Sequence, residues 1–88
     1  MVALVLHDAL KRAEAMIKSG EKDAKRIIKM MQGLIKDVPI AKIDYISIVD
    51  TADLKEVKTV TGEALIALAV FIGKTRLIDN TIMQNGAR

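Results

Sequence analysis

The apolar residues of this chain change their period at Pro39, and that change sets the order in which structure can form along it. Before Pro39 the apolar positions recur at steps of three and four: Val2, Leu6, Ala9, Leu10, Ala13, Met16 and Ile17, then Ala24, Ile27, Ile28, Met31, Leu34 and Ile35. That spacing lines one face of a helix. After Pro39 the period is two. In IDYISIVD, Ile43, Tyr45, Ser47 and Val49 fall on one face and Asp44, Ile46, Ile48 and Asp50 on the other, as in a strand. Proline pushes the residue before it out of helical geometry, so the chain reads as helices first and strands afterwards.

Punctuation refines this order. The first helix stops near Ser19, because Gly20 can take the left-handed conformation past a helix end and Lys18 suits the negative end of the helix dipole. Glu21 and Asp23 suit the positive end of the second helix, and the short link predicts an antiparallel helical hairpin. Thr51 to Lys55 reads as a polar turn or a single helical turn, and Glu56 to Val60 as a short strand or extended loop. ALIALAVFI, Ala64 to Ile72, is apolar throughout, which suits a buried helix or a strand covered on both faces. Its length and its Val-Phe-Ile ending favour the strand. Gly73-Lys74 then leads to Thr75–Met83, where Arg76, Ile78, Asn80 and Ile82 alternate with Thr75, Leu77, Asp79 and Thr81, so the two segments should pair as an antiparallel hairpin. The expected fold is α+β: a helical hairpin packed on a small antiparallel sheet of about three strands. Residues 1–83 form the domain and 84–88 a flexible tail.

Composition narrows the function. At 88 residues the chain is one domain, and with one Tyr and one Phe its core is aliphatic. The absence of cysteine removes disulfides, thiol nucleophiles and Cys-ligated zinc, and His7 is the only histidine, so no metal site is expected. No segment is long and apolar enough to cross a bilayer, and Met1 to Leu6 has no basic leader. These features predict a soluble, cytoplasmic protein without a membrane partner. The formal charge of +3 does not predict a nucleic-acid partner, because Lys11, Arg12, Lys18, Lys22, Lys25, Arg26 and Lys29 alternate with acids on the helices and lack aromatic stacking partners.

One stretch, GKTRLIDN from Gly73 to Asn80, begins with the letters that close a phosphate-binding loop. Such a loop needs G-x-x-x-x-G-K-[ST] between a strand and a helix, so that backbone amides and a helix start converge on the phosphates. The first glycine would stand at position 68, which is Leu68, and the residues after Thr75 alternate like a strand. The expectation is therefore a glycine turn with a solvated Lys74, and with Arg76 and Asp79 on opposite faces of an edge strand.

The order ALVLHDAL, SGEKDA, KIDYISIVD and EALIALAVFIGKTRLIDN resembles the C-terminal domain of the pantothenate synthetase (pantoate–β-alanine ligase) family, from about Ala3 to Asn80. The most specific part is GKTRLIDN behind its apolar run, supported by DYISIVD. The resemblance implies an enzyme that uses ATP and Mg2+ to adenylate pantoate and then transfers the pantoyl group to β-alanine. It implies a homodimeric parent and a lid role for this domain. The family's paired-histidine motif and its Ser-Arg-Asn segment have no counterpart here, so the chain reads as a truncated piece whose partner is a missing N-terminal nucleotide-binding domain. No catalytic, cofactor-binding or metal-binding residue is carried over, and the piece is expected to be inactive alone.

The remaining candidates are weak. His7 reads as a surface residue, Asp44 and Asp50 as two carboxylates on one strand face, and Met30 and Met31 as filling for the core and its boundary. The alternative function is a stand-alone protein-interaction module, in which a partner covers the Ala64 to Ile72 strand and the Tyr45 face. An upstream reading frame encoding a nucleotide-binding domain would separate the two readings.

Overall fold

A computed structural model describes residues 3–84, with two helices followed by three strands: α1 (Ala3–Lys18), α2 (Ala24–Lys36), β1 (Ala41–Asp50), β2 (Glu63–Ile72) and β3 (Thr75–Gln84). The strands form one antiparallel sheet in the order β1-β2-β3. Both helices pack on one face of it, α2 over β1 and α1 over β3. The α+β expectation holds, and the strand expected at Ala64 to Ile72 is present, beginning one residue earlier at Glu63. Gln84, expected in the tail, closes β3 by pairing with Glu63, and the rest of that tail, 85–88, lies outside the described residues.

The helix ends follow from local chemistry. The Glu21 N–H donates to the Met16 carbonyl at 2.9 Å and the Gly20 N–H to Ile17 at 3.1 Å, with Gly20 at φ +105°. This pair of bonds around a left-handed glycine satisfies the last carbonyls of α1. α2 begins later than Glu21, because the Asp23 carboxylate accepts the Lys25 N–H at 2.9 Å and so caps the helix at Asp23. Lys36 is its last residue, three before Pro39.

The core lies between the helices and the inward face of the sheet. Ala9, Ala13, Ile27, Met31 and Ile35 meet Ile48, Ile66, Leu68 and Val70, all fully buried, and Val60 from the loop after β1 closes one end. The alanines of α1 let the helix lie close to its neighbours. Met31 fills the core, while Met30 sits half-buried at its margin.

β1 departs from simple alternation. Its register against β2 slips between Ile43 and Tyr45, so that Ile43 faces Val70 and Tyr45 faces Ala69, leaving Asp44 as the extra residue of a bulge. Ile43 therefore joins Ile46 and Ile48 on the helix side, whereas Tyr45, Ser47 and Val49 share the outward face. The expected grouping of Ile43 with Tyr45, and of Asp44 with Asp50, is corrected by this bulge. The step of three from Ile43 to Ile46 was its signal in the sequence.

Segment 51–62 is a turn followed by an extended loop. The Asp50 carboxylate accepts the Ala52 N–H at 2.7 Å, Leu54 takes φ +58°, and the chain then pairs Glu56 with Val49 and Thr59 with Asp23. Among the described residues no helix is long and apolar enough to cross a membrane.

Candidate functional site

The glycine-lysine pair of GKTRLIDN forms the two-residue turn of the β2–β3 hairpin, since Ile72 pairs directly with Thr75. Gly73 has φ +62°, and Lys74 is not among the residues of positive φ, which is the pattern of a type II′ turn. Strands enter and leave this turn, so no helix start points its amides at it. Leu68, at the position a phosphate loop would give to glycine, is 0% exposed in the middle of β2. A Cβ at Gly73 would meet nothing within 4 Å, so the demand for glycine is conformational. Gly73→Val is expected to lower stability by about 1–3 kcal/mol and Lys74→Ala by less than about 0.5 kcal/mol, read from denaturant unfolding. Equal losses from the two would contradict the turn.

Alternation along β3 sends the rest of the motif to two faces, as expected for Arg76 and Asp79. On the outward face Arg76 reaches across β2 to the bulge in β1. Its Nε and Nη2 donate to Oδ2 of Asp44 at 3.0 and 2.8 Å, and its guanidinium lies 5.9 Å from the centre of the Tyr45 ring. Phe71, which pairs with Arg76 across the β2–β3 ladder, occupies the strand between them. Both charged side chains keep about two-fifths of their exposure, so the pair orients Arg76 more than it stabilises the fold, contributing about 0.2–1 kcal/mol. The sequence separates these partners by 32 residues, and nothing in either segment alone signals their meeting.

On the inward face Asp79 and Thr81 meet α1. The Thr81 hydroxyl donates to the Glu14 carboxylate at 2.8 Å, and a hollow of about 170 Å³ opens between His7, Lys11, Glu14, Asp79 and Asn80. His7 is exposed at the rim of this hollow. Asp50 is engaged in the turn at Ala52, far along β1 from Asp44, and the two carboxylates are not brought together. Among the described residues no three His, Asp or Glu side chains gather as metal ligands. A depression of about 500 Å³ lies on the solvent side of α2 beside Lys25, Arg26, Lys29 and Gln32, all exposed, and is basic surface.

The described residues form a two-layer domain with an aliphatic core and a glycine hairpin. Comparison with known proteins gives it a lineage. Residues 1–82 match the family model described as pantoate-beta-alanine ligase. The pantothenate synthetase of Syntrophomonas wolfei is 54% identical over 82 residues and that of Carboxydothermus hydrogenoformans 44%; each alignment covers 93% of this chain and 29% of the relative. The crystal structure of pantothenate synthetase from Thermus thermophilus superposes with a TM-score of 0.79 at 25% identity, over 88% of this chain and 28% of that one. The chain belongs to the pantoate-beta-alanine ligase family. It spans less than a third of the length of these relatives.

Proposed function

We propose that the chain is the C-terminal lid domain of a ligase that condenses pantoate with β-alanine at the expense of ATP. What carries this reading is a family match along 82 residues that corresponds to only 29% of each relative. In the whole enzyme an N-terminal nucleotide-binding domain of the same chain is the partner. That domain holds ATP and Mg2+, and the enzyme works as a cytoplasmic homodimer. A reactive acyl-adenylate is wasted by hydrolysis, so a domain that closes over the cleft and keeps water out raises the yield of the second step without supplying a reacting group. A compact two-layer unit with an aliphatic core suits that role.

The described residues do not fit ATP or Mg2+ themselves. The Gly73-Lys74 turn is flanked by strands on both sides, and no carboxylate cluster stands ready for a metal. The chain supplied with ATP, Mg2+, pantoate and β-alanine is therefore expected to form no pantothenate, and calorimetry should detect no ATP binding. Turnover by the chain alone, or ATP binding at millimolar or lower concentration that Lys74→Ala abolishes, would overturn the reading.

A further inference from the structure

The sheet has helices on one side only, and its other side exposes several large apolar side chains. Along β2 this outward face carries Leu65, Ala67, Ala69 and Phe71; β1 adds Tyr45 and Val49, and β3 adds Ile78 and Ile82. Ala69 is fully buried between its cross-strand neighbours Tyr45 and Ile78, yet Ile78 and Ile82 keep 54% and 58% of their surface in water. No described helix or loop covers them. The solvent side of α2, by contrast, carries Lys25, Arg26, Lys29 and Lys36. Ser47 and Asn80 flank Ala67 across the middle of this face and Lys42 and Arg76 border one end, so its apolar side chains form two clusters ringed by polar ones, and exposed apolar surface rimmed in this way marks a place where something else packs.

The size of the face selects between occupants. Ten-residue strands run about 34 Å and three of them span about 14 Å, so the face offers about 500 Å² to a partner and about 1,000 Å² counted on both sides. A stable pair of separate chains buries about 1,200–2,000 Å², which disfavours a second copy. Contacts between domains of one chain run about 600–1,500 Å², because the linker supplies the local concentration that area does not. A contact of this size can also open, as a lid must.

We infer that the outward sheet face, from Tyr45 and Phe71 to Ile78 and Ile82, is the surface by which this domain docks on the nucleotide-binding domain of the same ligase. The inference rests on the lid reading and adds to it the face that turns toward the partner. At one end of the face Asp44 engages only Nε and Nη2 of Arg76, so the guanidinium keeps N–H donors for an acceptor on the opposing surface. The chemistry expected opposite is an aliphatic patch bordered by a carboxylate or carbonyl.

The test joins the remainder of the Syntrophomonas wolfei enzyme to the start of this chain and compares the fusion with the chain alone by hydroxyl-radical footprinting. Oxidation of Tyr45, Phe71, Ile78 and Ile82 should fall about threefold or more in the fusion, with His7 and Met30 unchanged. Unchanged labelling of the outward face, with protection on the helices instead, overturns the inference. The double substitution Ile78→Lys with Ile82→Lys should leave the melting temperature of the free chain within a few degrees while reducing pantothenate formation by the fusion tenfold or more. Full activity of that double variant counts against docking through this face. A fusion that protects the face yet forms no pantothenate supports the docking surface and defeats the lid-of-a-ligase reading, so the two fail separately. Dimerisation of the free chain that the double variant abolishes, without protection in the fusion, assigns the face to a second copy and overturns the proposal.

Discussion

Leu68→Gly is expected to lower stability by about 3–6 kcal/mol, although it completes the pattern G-x-x-x-x-G-K-T in the sequence. Leu68 is 0% exposed, sits in the central strand between Ile46 and Asp79, and points into the core between the helices and the sheet. Its removal combines the lost burial of a leucine, the cavity left behind, and the backbone freedom of glycine in a strand. For a domain of this size each kcal/mol moves the melting temperature by about 4–8 °C, so circular dichroism should show a fall of about 12–48 °C or an unfolded chain. ATP should not rescue it: a ligand that binds the native state would raise the melting temperature, and on the proposed reading the Gly73-Lys74 turn is not an ATP site. A folded Leu68→Gly protein that ATP stabilises would show that the letters of the motif outweigh their setting.

The second large effect separates the two sides of the sheet. Ile66→Ala is expected to cost about 2–5 kcal/mol, because Ile66 is 0% exposed beneath the helices and its neighbours cannot collapse fully onto the space it leaves. Ile82→Ala, on the outward face where the side chain is 58% exposed, should cost less than about 1 kcal/mol in the same chain. Urea unfolding of both variants checks the contrast. Comparable losses would mean that the outward face is covered in the free chain, and both the packing and the docking surface drawn from it would be wrong.

These contrasts also mark how far the sequence reached. Period gave both helices and the strand read from Ile43 to Asp50, which the structure begins at Ala41, and the short Gly73-Lys74 link gave the hairpin, because each depends on neighbours within a few residues. The uniformly apolar 64–72 stretch is a strand, but its covering is unequal: helices on one side, and on the other only the side chains of β1 and β3. Alternation in β1 misled at a single point. Asp44 adds one residue to the ladder, and a slip of one carries every residue before it to the opposite face. The Arg76–Asp44 and Thr81–Glu14 contacts were beyond reach, because they depend on tertiary register and not on pattern. The absence of a recognisable catalytic set had a different cause, for on the proposed reading the reacting groups belong to a domain outside this chain.

The placement of α1 over β3 bears on how the molecule assembles. The closest backbone approaches otherwise join neighbours in the chain: α1 with α2, α2 with β1, β1 with β2 and β2 with β3. Those contacts close short loops and can form quickly as the chain emerges. The first helix and the last strand are the elements farthest apart in the chain, and their contact, fastened by Glu14 and Thr81, closes a ring of elements. Loop-closure entropy favours the local contacts early, and this closure is the step expected late. Weakening it should then leave the folding rate nearly unchanged and speed unfolding, which makes the α1–β3 seam the natural place to set how long the native state lasts.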